Sequence, residues 1–307
     1  MDKIKVLLAT QKPFAKSAVE AISKALKAAN FDFEQLEAYA DREDLIKKIV
    51  DFDALIVRSD IIDKEIIQAA PKLKLIVRGC SGYDNIDIKA AYEAGVIVMN
   101  TPGQNANAVA ELVFGLLVYN ARNKFNGVSG TELKGKTLGI HAFGNVGANV
   151  ARIAKGFGMN VIAFDPYTPA VKIFRHGVTP MRTEEDLYQY ADVVSLHLPF
   201  TPMTKGVVNK KLLTLMPKGA VVINTARKEI VDEKDMLVKM KEDPNFSYLT
   251  DIAPDQLDEF MNYSSQFFAT PKKMGAQTVE ANNNAAIAAA QELINFFVSG
   301  NVDFKVN

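Results

Sequence analysis

The residues with the clearest chemical potential lie between Gly139 and Gly147, in the segment GIHAFGNVG. A β-branched run leads into this segment and a helical pattern follows it. About twenty residues later, the next such run ends in Asp165-Pro166, which is the setting a dinucleotide fingerprint requires. Gly144 lets backbone amides approach a pyrophosphate, Asn145 and Val146 open the helix behind it, and Gly147 lets helix and strand pack closely. The helix N-terminus adds unpaired N–H groups for the anion. Asp165 is placed to accept hydrogen bonds from ribose hydroxyls and would repel a 2′-phosphate, so the expected cofactor is NAD in preference to NADP. The first fingerprint glycine is replaced by Ala142, which a tight turn tolerates if its φ stays negative.

Such a turn works only at the end of a strand that other strands support, and the chain has the material for it. Its 307 residues are 48% hydrophobic, enough for a sizeable core and two domains. The 36 Lys and Arg residues balance the 36 Asp and Glu residues, which argues against a nucleic-acid or membrane-surface partner and for a small molecule. No apolar run is long enough to span a bilayer, and the N-terminal segment enters a strand pattern directly, so a cytoplasmic location is expected. Cys80 is the only cysteine, and His141, His176 and His197 have no metal-ligand spacing. No disulfide or structural metal is expected.

Short β-branched runs at residues 4–9, 54–58, 75–79 and 96–100 alternate with amphipathic stretches, the pattern of βαβ units on a parallel sheet. A second series, at 137–144, 160–166, 192–199, 220–226 and 247–251, predicts a second parallel sheet. The fold class is therefore α/β with two doubly wound domains. Helix candidates at 106–120 and 282–297 could bridge them, and the final VDFKVN reads as a strand returning to the first sheet. The expected division is 1–100 with 282–307 as a discontinuous, flavodoxin-like substrate domain, and 101–281 as a Rossmann dinucleotide domain.

Three further segments each follow a strand of the second series: NTARKEIVDE (224–233), TDIAPD (250–255) and ATPKKMGAQTVEA (269–281). Ligands of doubly wound sheets bind at the carboxyl ends of strands, so these loops should converge. Together with VRSD (57–60), VRGCSGYDNID (77–87) and NTPGQNANAVAE (100–111), they resemble the D-isomer-specific 2-hydroxyacid dehydrogenases in order and spacing. The resemblance covers nearly the whole chain and is strongest to the short phosphoglycerate dehydrogenases. It implies cofactor contacts from Ser81, Gly144, Asn145, Val146, Asp165, Leu198, Pro199, Thr225, Ala226, Asp251 and Gly275. It also implies a homodimer formed through the cofactor domain.

The family's arginine falls on Arg227. A 2-oxo acid presents a carboxylate beside a carbonyl, and a guanidinium fork can bind the one while polarising the other. The usual acid/base histidine is replaced by Lys273, with Lys272 as an apparent insertion, and the glutamate that normally holds the histidine is missing. That glutamate's position falls near Asp255 or Gln256. The two changes belong together, because a histidine must be held in one tautomer whereas an ammonium has none to select. Lysine's reference pKa is about 10.4, so proton exchange near neutrality would need desolvation or a nearby cation such as Arg227.

For the substrate, the resemblance implies contacts from Arg58, Ser59, Arg78, Gly103 and Asn105, cationic and amide donors that suit a phosphorylated three-carbon acid. Cys80 reads as buried filler and His197 as structural. The reaction implied is NAD-dependent oxidation of D-3-phosphoglycerate to 3-phosphohydroxypyruvate. A glyoxylate or hydroxypyruvate reductase, or a non-catalytic NAD(H)-sensing protein of the same fold, are the competing readings.

Overall fold

The computed structural model describes residues 3–307. The chain forms two compact units, one running to Asn105 and completed by Thr278–Asn307, the other Ala106–Gln277. The first holds β1 (Lys5–Thr10), β2 (Asp32–Glu37), β3 (Ala54–Val57), β4 (Leu75–Arg78) and β5 (Ile97–Asn100), ordered β2-β1-β3-β4-β5. The second holds β6 (Thr137–His141), β7 (Asn160–Phe164), β8 (Thr179–Pro180), β9 (Val193–Leu196), β10 (Val221–Asn224), β11 (Ser247–Thr250) and β12 (Phe267–Ala269). Their order is β12-β11-β10-β9-β6-β7-β8. Every ladder in both sheets is parallel.

The central strands are short and apolar on both faces because helices cover both faces. In the first unit, Leu7, Leu55 and Ile76 pack with Leu45 and Ile66 on one side, while Val6, Leu8 and Ile56 pack with Ile22, Ala289 and Leu293 on the other. In the second unit, Leu138, Ile140 and Ile223 join the helix Ala106–Ala121 through Val113 and Leu117. Val194, Val222 and Tyr248 face Met236 and Phe260 on the opposite side. Both sheets are thus doubly wound, and each aligns its strand C-termini along one edge.

The helix Val279–Ser299 belongs to the first unit. Thr278 caps it by accepting from the Ala281 N–H at 3.1 Å, and Gly300 closes it at φ 70°. The helix begins three residues before the expected 282, so Asn282 lies in its first turn. The other long helix belongs wholly to the second unit. The C-terminal VDFKVN is not a strand: it meets β5 in one antiparallel bridge, Met99 to Lys305, with the Val306 N–H donating to the Val98 carbonyl at 2.9 Å. The Asn307 amide closes the edge by accepting from Val98 N–H and donating to the Val96 carbonyl. A turn just before the bridge uses the residues that a full ladder would need.

One buried group strains the first unit. Glu292 is 9% exposed, its Oε2 has no hydrogen-bond partner, and burial pushes its pKa up to about 8. A carboxyl group raised in this way contributes fully below the unfolded value near 4.5, and its contribution is lost as pH rises toward 8. The Glu292→Gln variant is expected to melt about 2–6 °C above the parent at pH 9 and close to it at pH 5. A difference independent of pH, read by thermal unfolding across that range, would exclude this account.

Candidate active site

In the second unit, the fingerprint turn joins β6 to the helix Asn145–Gly156. Gly144 is the N-cap, no side chain caps the helix, and the first N–H groups are left for an incoming anion. A Cβ on Gly147 would stand 2.6 Å from the Ala142 carbonyl oxygen and 3.0 Å from Ile140 Cγ2, so only glycine fits this crossing. The expected negative φ at Ala142 is not found. Ala142 sits at φ 76°, in the left-handed region a fingerprint glycine would occupy. The turn keeps its shape because both sides hold it: the Ala142 N–H donates to the Phe164 carbonyl at 2.9 Å, and the Phe143 N–H donates to Asp165 Oδ2 at 2.8 Å.

Asp165 thus braces the turn as well as standing at the end of β7. Its Oδ1 accepts from the N–H groups of Tyr167 and Thr168, and the Thr168 hydroxyl donates to Oδ2. A ribose hydroxyl can bond here by replacing the Thr168 hydroxyl, which is free to rotate away. Leu198 and Pro199 follow β9 on the same edge.

The loop after β10 is folded around a residue that the sequence reading did not single out. Asn224 is fully buried; its Oδ1 accepts from the Ala226 N–H at 3.0 Å and its Nδ2 donates to the Arg227 carbonyl at 2.9 Å. The sequence signal was the Asn at the head of NTAR, since an amide at a strand end can turn the next three residues. The Ala226 carbonyl is in turn the acceptor for two cationic side chains, Arg227 Nη1 at 2.9 Å and Lys273 Nζ at 3.2 Å. The arginine and the lysine therefore meet at one oxygen.

Asp251, at the end of β11, stands beside them. It is fully buried, its Oδ2 accepts from the Gly275 N–H at 2.7 Å, and its Oδ1 has no partner. Burial raises its pKa, while the Gly275 N–H and the charges of Lys273 and Arg227 pull the other way. Gly275 gives the Asp251 carboxyl room, because a Cβ there would stand 2.9 Å from Asp251 Oδ2 and 3.2 Å from Val109 Cγ2. Thr225 is also buried with an unpartnered Oγ1. A nicotinamide carboxamide offers what these two orphaned groups lack, N–H donors for Asp251 and a carbonyl for Thr225, so the residues present fit NAD.

Asp255 does not serve Lys273. It is 73% exposed and pairs with Lys228, while Glu233 fixes the loop by accepting from the N–H groups of Asp255 and Gln256, both at 2.8 Å. The two histidines beside the sheet are held in the neutral form. Burial holds His141 down to about 4 and His197 down to about 3, and each is bonded to a neutral hydroxyl, that of Tyr188 and that of Ser195.

The first unit gathers its own polar cluster at the carboxyl ends of β3, β4 and β5. Arg58 lies over the Phe14 ring and donates to Asn282 Oδ1 at 2.7 Å; burial lowers its pKa. Arg78 donates through Nε to Asn85 Oδ1 at 3.3 Å, and its buried Nη1 has no partner. The Ser81 hydroxyl donates to Asn105 Oδ1 at 3.1 Å, and Asn105 Nδ2 points to Cys80 Sγ at 3.7 Å. Cys80 is half-buried next to these groups and is not core filler. Gly103 turns the chain at φ 85°, and Ser59 is exposed.

A doubly wound parallel sheet with a glycine-bearing turn and an acid at the end of its next strand defines a dinucleotide-binding domain. Residues 117–274 match the D-isomer specific 2-hydroxyacid dehydrogenase, NAD binding domain family. The chain belongs to that family. It is 43% identical, with a TM-score of 0.90, to the NAD+-bound 3-phosphoglycerate dehydrogenase of Entamoeba histolytica, covering 100% of this chain and 99% of that one. It is 32% identical to a hydroxypyruvate reductase of Thermotoga maritima over 85% of this chain and 90% of the relative. A D-3-phosphoglycerate dehydrogenase of Methanocaldococcus jannaschii is 35% identical over 82% of this chain and 51% of its own length. The chain thus spans about half the length of several curated relatives it matches.

The left-handed Ala142 costs about 1 kcal/mol relative to glycine. Ala142→Gly is expected to raise the melting temperature by about 1–3 °C and to leave NAD affinity within about threefold. Gly147→Ala, which drives a methyl group into the Ala142 carbonyl, is expected to weaken NAD at least tenfold on the order of one displaced phosphate contact. Calorimetric titration of both variants with NAD checks the pair; equal affinities would refute the role given to the turn.

Proposed function

We propose that this protein oxidises D-3-phosphoglycerate to 3-phosphohydroxypyruvate with NAD, with Lys273 as the acid/base and Arg227 as the substrate clamp. The observation that carries the reading is the shared Ala226 carbonyl, which holds both cations at the edge of the NAD-binding sheet. Bound NAD supplies the hydride acceptor. Gly144, Asn145 and Val146 would hold its pyrophosphate, Asp165 its ribose, and Thr225 and Asp251 its carboxamide. Ser81, Leu198, Pro199, Ala226 and Gly275 complete the proposed contacts.

Arg227 has a planar fork that can grip the substrate carboxylate and lie along the bond being oxidised. Lys273, in its neutral form, takes the proton from the hydroxyl oxygen; as the ammonium it returns that proton in the reverse direction. It needs no orienting carboxylate, which accords with Asp255 being engaged by Lys228. Burial pushes the Asp251 pKa up, and the nearby charges of Lys273 and Arg227 oppose that rise. For the phosphate we assign Arg58, Ser59, Arg78, Gly103 and Asn105. The buried Nη1 of Arg78, which no protein group satisfies, supports that assignment.

Reduction of hydroxypyruvate is the second reading. It is favoured by the Thermotoga maritima relative, whose length the chain nearly matches. The cofactor unit is further proposed to form a homodimer through the helix Ala106–Ala121, which light scattering of the purified protein would test.

NADH formation is expected with D-3-phosphoglycerate, and at least about tenfold less per unit concentration with D-glycerate or D-lactate. Lys273→Ala should lower kcat by about 10²–10⁴ with KM little changed, whereas Arg227→Gln should raise KM as well. Equal rates on the phosphorylated and unphosphorylated acids would favour the reductase reading. Unchanged turnover in Lys273→Ala would remove the lysine from the mechanism.

A further inference from the structure

The amino ends of the second sheet enclose a cavity of about 530 Å³. Val193, Val221 and Ser247, which open β9, β10 and β11, form its floor, at the opposite end of those strands from Leu198, Arg227 and Asp251. It lies entirely within the second unit and is separate from the NAD and catalytic residues.

Its wall is built to hold a shape. Asn123, Lys124 and Phe125 run through three consecutive left-handed conformations, at φ 49°, 56° and 58°, a path that side-chain-bearing residues adopt only when the surroundings impose it. Lys124 anchors this path: its ammonium donates to the carbonyls of Ser264 and Phe267 and ties the loop to the sheet edge. At the far end of the loop, a Cβ on Gly130 would stand 2.1 Å from the Ala121 carbonyl oxygen, so the chain passes there as bare backbone.

Two side chains more than nine-tenths buried line this space with polar atoms that have no protein partner. Gln266 is 7% exposed, and its Nε2 donates to the carbonyls of Met240, Asp243 and Phe246 at 2.8–3.0 Å. That fixes the amide and leaves Oε1 as an acceptor bonded to no group. Ser247 is 8% exposed and its hydroxyl likewise makes no bond within the protein. Lys136 adds a half-buried ammonium whose contact with Thr131 Oγ1 is 3.3 Å, and Asn245 adds an amide. Among the described residues no carboxylate lines the cavity. The nearby Asp243 is already bonded to the Gly219 N–H and paired with Lys239. The space offers the Lys136 ammonium beside the carbonyl-bonded ammonium of Lys124, hydroxyl and amide donors, and an acceptor for a hydroxyl group.

We propose that this cavity is a second ligand site, which takes a small hydrophilic anion, a hydroxylated carboxylate or phosphate, on Lys136, Ser247 and Gln266. The charge is met by Lys136 and the Ser247 hydroxyl, and the ligand's own hydroxyl by Gln266 Oε1. The strands that begin here end at the cofactor and catalytic loops, so the occupant sits on the same four-residue strands that carry those loops.

The test is calorimetric titration of the NAD-saturated protein with citrate and with inorganic phosphate. It compares the parent, Lys136→Gln, Ser247→Ala, and a double variant Arg58→Gln with Arg227→Gln that removes two of the guanidinium groups assigned to the substrate and so weakens anion binding there. Saturable binding that survives in the double variant, and weakens by roughly tenfold or more in Lys136→Gln and severalfold in Ser247→Ala, is the expected result. The proposal is overturned by binding that vanishes in the double variant yet persists in Lys136→Gln, or by no saturable binding of either anion. It is equally overturned if Lys136→Gln changes only self-association, since the cavity would then be an interface between copies. Thermal unfolding of each variant establishes that it is folded before titration.

Discussion

The second unit is organised around one carbonyl oxygen. Ala226 receives hydrogen bonds from Arg227 and Lys273, which brings two like-charged groups to the same place. The buried Asp251 carboxyl stands at the end of the neighbouring strand, where burial raises its pKa and the charges of Lys273 and Arg227 pull it down. Each part depends on the rest: Asn224 turns the loop that presents the carbonyl, and Gly275 admits the Asp251 oxygen where a Cβ would crowd it. The parallel sheet makes this possible, because β10, β11 and β12 end side by side and deliver their loops to one edge.

Electrostatics also explains why a lysine suits this edge. The two histidines within the sheet are buried where a charge is disfavoured and stay neutral. An ammonium on a long, flexible stem reaches the carbonyl from an exposed loop and keeps its charged head solvated when no ligand is bound. Asp255, at the position expected for an orienting carboxylate, is paired with Lys228. In the proposed mechanism, one charged donor takes the place of a donor and its orienting partner.

The sequence exposed the central strands and the fingerprint turn plainly, because buried parallel strands are continuous apolar runs and the turn has a fixed spacing. It hid the edges. β2, with the sequence DFEQLE, has no fully buried residue, and β8 and β12 have two and three residues, so none offers a periodic signal. VDFKVN looked like a strand from composition, yet only one bridge forms. Ala142 was legible as the fingerprint position but not its φ, since the conformation is imposed by Phe164 and Asp165, contacts that only the folded sheet supplies. Asn224 and Asn282 were missed because each acts by positioning an arginine through hydrogen bonds that residue type alone does not announce.

The most direct test of the lysine mechanism is the pH dependence of kcat/KM for oxidation in the parent and in Lys273→His. If the side chain at 273 takes the substrate proton, the parent rises through the alkaline range as an ammonium is deprotonated. The histidine variant should instead reach its plateau about 4 pH units lower, near the imidazole value. Superimposable profiles would show that another group carries the proton, and the central assignment would fail.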